Sequence, residues 1–147
     1  MTLDNLVGKG LQREPTDAAE IRRFVGKIAI KLSDARASRV SADSRFDIAN
    51  EALLQVALAG LRAHGLRPDS RGGHHVIALQ SLELTIGFPR SKARVVDQFR
   101  RMRAQGLYDG SFDPSEAELA ELLEIAEAAH RQLVSWLSSN RPELLGR

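Results

Sequence analysis

The chain has 147 residues, of which 43% are hydrophobic and 27% are charged, and its formal net charge is +2 at pH 7. It contains no cysteine, which excludes disulfides, thiolate metal sites and a cysteine nucleophile. The net charge is too small to indicate nucleic-acid binding by itself, and the length is that of a single domain. No apolar run is long enough to span a membrane and the N-terminus lacks the apolar core of a secretory signal, so we expect a cytoplasmic protein.

The first part of the chain divides into a leader and a helix. Residues 1–15 carry two glycines and a proline without clear periodicity, which predicts a partly ordered leader. A helical domain is expected over residues 16–140, followed by a tail at 141–147. The first helix of this domain is predicted to begin at Thr16 or Asp17, because Asp17 and Glu20 have the spacing of a capping box.

Two further helices follow in the sequence pattern. Ser41 is an N-cap candidate for a helix that ends near Gly65, and the apolar stripe of this helix is broad. The breadth predicts burial on more than one side, and therefore a central position. Another helix is predicted from about His74 to Ile86, where Gly87 favours termination.

The next predicted helix, from about Ser91 to Gln105, lies in the most basic stretch of the sequence. Its basic residues, opposed only by Asp97, are Arg90, Lys92, Arg94, Arg100, Arg101 and Arg103. Cations this close together repel one another, so either an anionic ligand or acidic side chains elsewhere must offset them. Arginine suits phosphate because its planar fork donates two hydrogen bonds at once. The alternative is that these cations pair with the acidic helix that follows.

The last predicted helix starts at Asp113, with Pro114 in its first turn and Glu116 completing a capping box. Its core stripe runs from Leu119 to Leu137. No segment alternates convincingly enough to predict a strand. About five helices joined by short loops therefore predict an all-α fold, an up-and-down antiparallel helical bundle.

A second candidate site is the run of Gly72, Gly73, His74 and His75. Glycines let a backbone approach a ligand closely, and histidine can bind a metal or transfer a proton. Neighbouring positions on a helix diverge by about 100°, however, so the two imidazoles do not readily share one metal. A structural role for the pair is the alternative. Since no metal-binding spacing occurs elsewhere either, we expect no metal and no cofactor.

Four motifs resemble one known family. The stretch Arg101–Tyr108, at the end of the basic helix, resembles the signature region of HEPN domains. Ser44–Asn50, Gly73–His75 with Gln80–Leu82, and Trp136–Leu144 are similar to stretches of a bacterial HEPN-like subgroup. The resemblance covers nearly the whole chain from about residue 16.

This resemblance implies a helical bundle that forms a homodimer, with the motif helices facing each other across the two-fold axis. Catalytic HEPN members are metal-independent ribonucleases, often toxins paired with an antitoxin, and their motif is an Arg followed after a short gap by a His. Arg103 matches the Arg, and Tyr108 stands where the His would be. Histidine can accept or donate a proton at neutral pH, whereas tyrosine, with an ordinary pKa of about 10, is a poor base.

We therefore expect a HEPN-like domain that binds RNA or nucleotide phosphate at a basic cleft. The expected phosphate contacts are Arg100, Arg101, Arg103, His74 and His75. One alternative is a metal-independent endoribonuclease, with Arg103 and Tyr108 as catalytic residues and an antitoxin or a nucleotidyltransferase-like protein as partner. The other alternative is a non-enzymatic adaptor whose basic helix meets an acidic partner protein.

Overall fold

The structure, a computed structural model, describes residues 2–69 and 74–146. Helices dominate this part of the chain, which confirms the all-α class, and a two-stranded sheet is added to them. Among the helices described, none combines the length and the apolar character needed to cross a membrane. The elements are, in chain order, α1 (Leu3–Leu6), β1 (Leu11–Arg13), α2 (Ala18–Ala35), α3 (Ala42–Ala63), β2 (Leu66–Pro68), α4 (His74–Gln80), α5 (Leu82–Ile86), α6 (Arg90–Asp109), α7 (Glu116–Asn140) and a 3₁₀ helix (Pro142–Leu145).

The long helices run in alternating directions. Arg62, near the end of α3, donates a 2.8 Å hydrogen bond to Glu20, near the start of α2, so these two helices are antiparallel. Arg103, near the end of α6, donates to Asp47, near the start of α3, so α6 also runs opposite to α3. This is the up-and-down order expected of helices joined by short connections.

The central helix is α3, as its broad apolar stripe predicts. It packs against α2 and α7 on its long sides and also contacts α4, α5 and β2. At the end of α7, Arg141 donates a 2.8 Å hydrogen bond to the carbonyl of Ala63, and Leu144 of the 3₁₀ helix is buried. The buried residues of α3 are Phe46, Ala49, Ala52, Leu53, Val56, Ala57, Ala59, Gly60, Leu61, Arg62 and Ala63.

The helix predicted from His74 to Ile86 is two helices, α4 and α5, so the prediction of one continuous helix is wrong. Ser81 separates them, and its hydroxyl donates a 2.7 Å hydrogen bond to the carbonyl of Ile77. A serine hydroxyl bonded to a carbonyl one turn earlier competes with the backbone and bends a helix. Gly87 ends α5 with a φ of 73°, as predicted.

The basic helix α6 is longer than predicted and ends at Asp109 rather than near Gln105. Gly110, with a φ of 73°, terminates it in the left-handed conformation. Gly106 lies inside the helix and is buried against the next segment, where an added Cβ would lie 2.6 Å from the Cα of Phe112. Gly106 is therefore a packing residue and not a helix stop, and Tyr108 belongs to the last turn of α6.

The last helix begins two residues later than predicted. Its N-cap is Ser115, whose hydroxyl accepts from the Glu118 amide at 3.0 Å while the Glu118 carboxylate accepts from the Ser115 amide at 2.9 Å. The predicted cap at Asp113 is wrong because Phe112 and Pro114 are both buried. Their burial holds residues 111–115 against the core in a non-helical conformation, so the helix begins only after them.

The first fifteen residues, expected to form a partly ordered leader, carry α1 and β1. The strand β1 pairs antiparallel with β2, and Leu11 is fully buried. Arg62 of α3 links this sheet to the helices, because its guanidinium donates hydrogen bonds to the backbone carbonyls of Glu14, Pro15 and Leu66. Strands of three residues are too short to show the alternation by which strands are predicted.

Candidate functional site

The helix α6 presents a buried face and an outward face. Val96, Phe99 and Gly106 are its buried residues. Arg94, Arg101 and Tyr108 are spaced by seven residues, which places them within about 40° of one another on the opposite side, at steps of about 10 Å along the axis. We call these three residues the outward row. The Arg101 side chain is 75% exposed and Tyr108 is 94% exposed.

The cations of the outward row are only partly neutralised. The carboxylate of Asp97 accepts from Arg100 at 3.0 Å and also from Arg101 at 3.0 Å, so two guanidiniums share one negative charge. Arg94 forms no ion pair with any described residue. The sequence analysis includes Arg94 among the basic residues of the helix but not among the expected phosphate contacts. The seven-residue spacing to Arg101 and Tyr108 was the signal that would have identified it.

The acidic last helix does not neutralise α6. Arg90 pairs with Glu83 of α5 at 3.0 Å, and Arg103 pairs with Asp47 of α3 at 2.8 Å. In the described part of the chain, no ion pair joins α6 to α7, so the predicted alternative of pairing between these helices is not found there. The acidic residues in the first turn of α7 lie instead at the positive end of its dipole.

Arg103, the residue that matches the HEPN arginine, is engaged within the chain. Its Nε and Nη2 donate to the two carboxylate oxygens of Asp47, each at 2.8 Å. The guanidinium also lies over the ring of Phe112, at 4.5 Å from the ring centre, and the side chain is only 24% exposed. Two hydrogen bonds from the Arg103 guanidinium to one carboxylate join α6 firmly to α3. Fewer N–H groups of this guanidinium are then available to a ligand.

The two predicted catalytic residues do not converge within one chain. Arg103 and Tyr108 are five residues apart on a continuous helix, which separates their directions by about 140°. Arg103 faces α3 and the ring of Phe112, whereas Tyr108 projects into solvent. The structure instead groups Tyr108 with Arg101.

The predicted histidine pair lies at the start of α4, a helix that contacts α6. His75 is exposed. The side chain of His74, together with Gly72 and Gly73, lies outside the described residues. Its role in phosphate binding therefore stays a prediction. Within the described ranges, no group of three or more His, Asp or Glu side chains is arranged to hold a metal ion.

A cavity of about 430 Å³ lies elsewhere, between α2, α3 and β2, with Phe24 and Leu58 in its lining. Four of its charged side chains are already paired with one another, because Arg62 donates to Glu20 and lies 3.4 Å from Glu14, and Arg67 lies 3.2 Å from Glu14. Burial tends to raise the pKa of Glu20, but hydrogen bonds from Thr16 and Arg62 outweigh it and leave this pKa lowered. These charges stabilise the sheet and the start of α2, so we place the candidate site on α6.

Comparison of the chain with protein-family models, with curated proteins and with solved structures finds no match in any of the three. The HEPN resemblance accordingly rests on the four sequence motifs, and it stays a prediction.

Proposed function

We propose that the protein binds single-stranded RNA, or the phosphates of nucleotides, along the outward row of α6. Arg94 and Arg101 neutralise phosphates, and Tyr108 stacks on a base. The observation that carries this proposal is the alignment of two incompletely neutralised guanidiniums with a 94% exposed tyrosine on one side of one helix. Positive charge along a track, interrupted by an exposed aromatic ring, is the arrangement by which single strands are bound without base-specific hydrogen bonds.

The end of α6 is unusual in how much apolar surface it leaves in water. Leu107 is 69% exposed and stands beside Tyr108. Single exposed apolar residues need no explanation, but two consecutive ones beside exposed arginines favour a ligand with both apolar and anionic parts. A nucleotide has both, since the faces of its base are apolar and its phosphate is an anion.

Arg103 has a different role in this proposal from the one its motif position implies. It positions α6 on α3 through Asp47, and it is not a primary phosphate contact. Arg100, which shares Asp97 with Arg101, contributes charge beside the outward row. The four motifs and the up-and-down order of the long helices support a HEPN-like identity as part of the proposal.

The proposed function is binding of RNA or nucleotide without cleavage of RNA. Transfer of an RNA phosphate to its own 2′-hydroxyl needs one group that accepts a proton and another that donates one. Arg103 and Tyr108 diverge by about 140° in one chain, so they do not flank a single phosphate there. Nucleotide binding by the outward row requires neither of these proton transfers.

Titration of a fluorescently labelled single-stranded RNA in EDTA tests the proposal. Tyr108→Ala should lower the affinity at least about fivefold, because stacking on one base contributes about 1–3 kcal/mol. Arg101→Gln should lower it as well by removing a phosphate contact. The control is Arg131→Gln, which removes another exposed positive charge, on α7, and should leave the affinity nearly unchanged.

A second titration, with polyglutamate, separates RNA from an acidic protein partner. Polyglutamate has anionic groups but no bases, so Tyr108→Ala should leave its weak binding unchanged. Tighter binding of polyglutamate than of RNA would favour the adaptor instead. RNA fragments with 2′,3′-cyclic phosphate ends, absent with Arg103→Ala, would favour the ribonuclease. An equal loss of RNA affinity in Arg131→Gln and Arg101→Gln would remove α6 as the site.

A further inference from the structure

The outward face of α2 carries a glycine that nothing in the described chain requires. Gly26 lies in the interior of this helix, and a Cβ added to it would meet no atom within 4 Å. Glycine in a helix interior is less favourable than alanine by about 1 kcal/mol. Ile30, one turn later and about 40° away on the same face, is 61% exposed. A small residue beside an exposed large one forms a hole and a knob that have no partner within the monomer.

Two opposite charges flank this face, and the exposed Lys27 lies between them along the helix. Arg23 and Asp34 lie on one side of it, within about 20° of each other around the helix axis. They are separated by about 16 Å along the axis, which is too far for an ion pair between them. Neither forms an ion pair or a side-chain hydrogen bond with another described residue.

A second copy of α2, packed antiparallel about a two-fold axis, matches both features. If the axis passes between residues 28 and 29, Arg23 lies opposite the partner's Asp34, and Asp34 lies opposite the partner's Arg23. The same axis brings Ile30 within about 1.5 Å, measured along the helix, of the partner's Gly26. The Ile30 side chain then fills the space over the partner's Gly26. By symmetry, the contact contains two such Ile30–Gly26 pairs and two Arg23–Asp34 ion pairs.

We propose that the protein forms a homodimer in which two α2 helices pack antiparallel, with Ile30 of each copy on Gly26 of the other. The HEPN resemblance implies instead that the motif helices lie on the two-fold axis. That arrangement would bring two sets of incompletely neutralised arginines together, which is unfavourable without an anion between them. Packing through α2 leaves the outward row of α6 open to solvent in each copy. The dimer does not depend on the proposed RNA binding.

Cysteine cross-linking tests this interface directly, because the chain has no cysteine of its own. In the proposed dimer, two cysteines introduced as Ile30→Cys lie about 4.5 Å apart along the helix axes and near the interface midline. For helix axes about 8 Å apart, their Cα atoms lie about 6 Å apart, within the range of about 4.4–6.8 Å that a disulfide requires. The control is Leu107→Cys, an exposed position on α6.

Under mild oxidation we expect Ile30→Cys to form covalent dimer at least about tenfold faster than Leu107→Cys. Faster cross-linking of Leu107→Cys would overturn the proposal in favour of an α6 interface. Equal rates would mean random collision and would overturn it too. Circular dichroism of both reduced variants checks that each is folded.

Sedimentation equilibrium of charge variants provides an independent test. Arg23→Asp and Asp34→Arg should each raise the dimer dissociation constant, because each places like charges opposite one another. The double variant restores both pairs with their signs reversed, and its dissociation constant should return close to that of the unmodified protein. Ile30→Lys should raise the dissociation constant at least about tenfold, because the new cation would lie opposite the partner's Lys27. A protein that is monomeric at every attainable concentration, or a double variant that is weaker than both single ones, would contradict the dimer.

Discussion

Arg101 and Arg103 are two residues apart on α6 but have opposite surroundings. Arg101 is exposed and shares its carboxylate with Arg100, whereas Arg103 is mostly buried against Phe112 and is held by both oxygens of Asp47. The first arrangement leaves a charge available to a ligand, and the second uses the charge for the fold. Substitution of the two residues should therefore affect different properties.

Arg103→Ala should lower the free energy of unfolding by about 1–2 kcal/mol, because a charged hydrogen-bonded pair is lost. The loss is limited to this size because water screens the partly exposed Asp47. Arg101→Ala should change it by less than about 0.5 kcal/mol. Urea denaturation of both variants measures these changes. A double-mutant cycle of Arg103→Ala with Asp47→Ala should give a coupling of at least about 0.5 kcal/mol. Additive effects would mean that the pair does not join α6 to α3.

His130 should make stability depend on pH. Burial lowers the pKa of His130 below its ordinary value near 6.5, the charge of Arg131 lowers it further, and Glu127 opposes them. Its Nε2 is buried without a hydrogen-bond partner in the described chain. Because the unfolded chain then binds a proton more readily than the folded one, stability is fully present above about pH 6.5 and falls as the pH is lowered through that value towards the lowered pKa.

Thermal unfolding between pH 7.5 and 5.5 checks this expectation for His130. The melting temperature should fall across this interval in the unmodified protein, and it should fall less in His130→Leu, which cannot be protonated. A melting temperature that falls equally in both proteins would show that another group is responsible.

At the level of helices, two glycines in helix interiors should respond to alanine in opposite ways. Gly26→Ala in α2 should raise the free energy of unfolding by about 0.5–1 kcal/mol, because the new methyl group meets nothing and the helix propensity improves. Gly106→Ala in α6 should lower it by about 1–3 kcal/mol, because the methyl group would overlap the backbone of Phe112. Both are measured by denaturation in an Ile30→Lys background, so that dimer formation does not contribute. The same sign for both substitutions would contradict this packing.

The start of α7 offers a matched pair of capping variants. Ser115→Ala removes the N-cap hydroxyl that accepts from the Glu118 amide, and it should destabilise the protein by about 1 kcal/mol. Asp113→Ala removes a carboxylate that lies outside the helix, and it should change stability by less than about 0.5 kcal/mol. A larger loss in Asp113→Ala, measured by denaturant unfolding, would place the helix start where the sequence pattern predicts it.

Local signals in the sequence predict the helices well but their ends less well. Asp113 to Glu116 and Ser115 to Glu118 have the same capping spacing, and only the burial of neighbouring residues decides between them. Gly106 and Gly110 are both plausible helix stops, yet only Gly110 has a positive φ. Contact with Phe112 determines that difference, and a tertiary contact has no local pattern.

Contacts between residues far apart in the sequence are harder to predict than the ends of helices. Arg103 and Asp47 each lie in a stretch that was singled out from the sequence, but they are 56 residues apart, and nothing in either stretch indicates that they pair. The outward row was within reach of sequence reasoning, because the seven-residue spacing of Arg94, Arg101 and Tyr108 is visible in the chain. The HEPN resemblance drew attention to Arg103 instead.

For the molecule as a whole, the proposed ligand and the proposed partner copy use different helices. The outward row lies on α6, and the dimer face lies on α2, which packs against α3 and α7. Both surfaces can therefore be occupied at once. A dimer of this kind presents two separate basic rows, and one RNA strand long enough to reach both should bind more tightly than two short strands.

The salt dependence of RNA binding tests the role of the outward row most directly. The double variant Arg94→Gln/Arg101→Gln removes two charges from α6, and Arg39→Gln/Arg131→Gln removes two exposed charges from other parts of the surface. The plot of log Kobs against log salt concentration should lose about 1.4 units of slope in the α6 variant, because each phosphate contact on a single strand contributes about 0.7 units and two contacts are lost. The control variant should keep the slope of the unmodified protein. Equal slopes in the two variants would contradict RNA binding along α6.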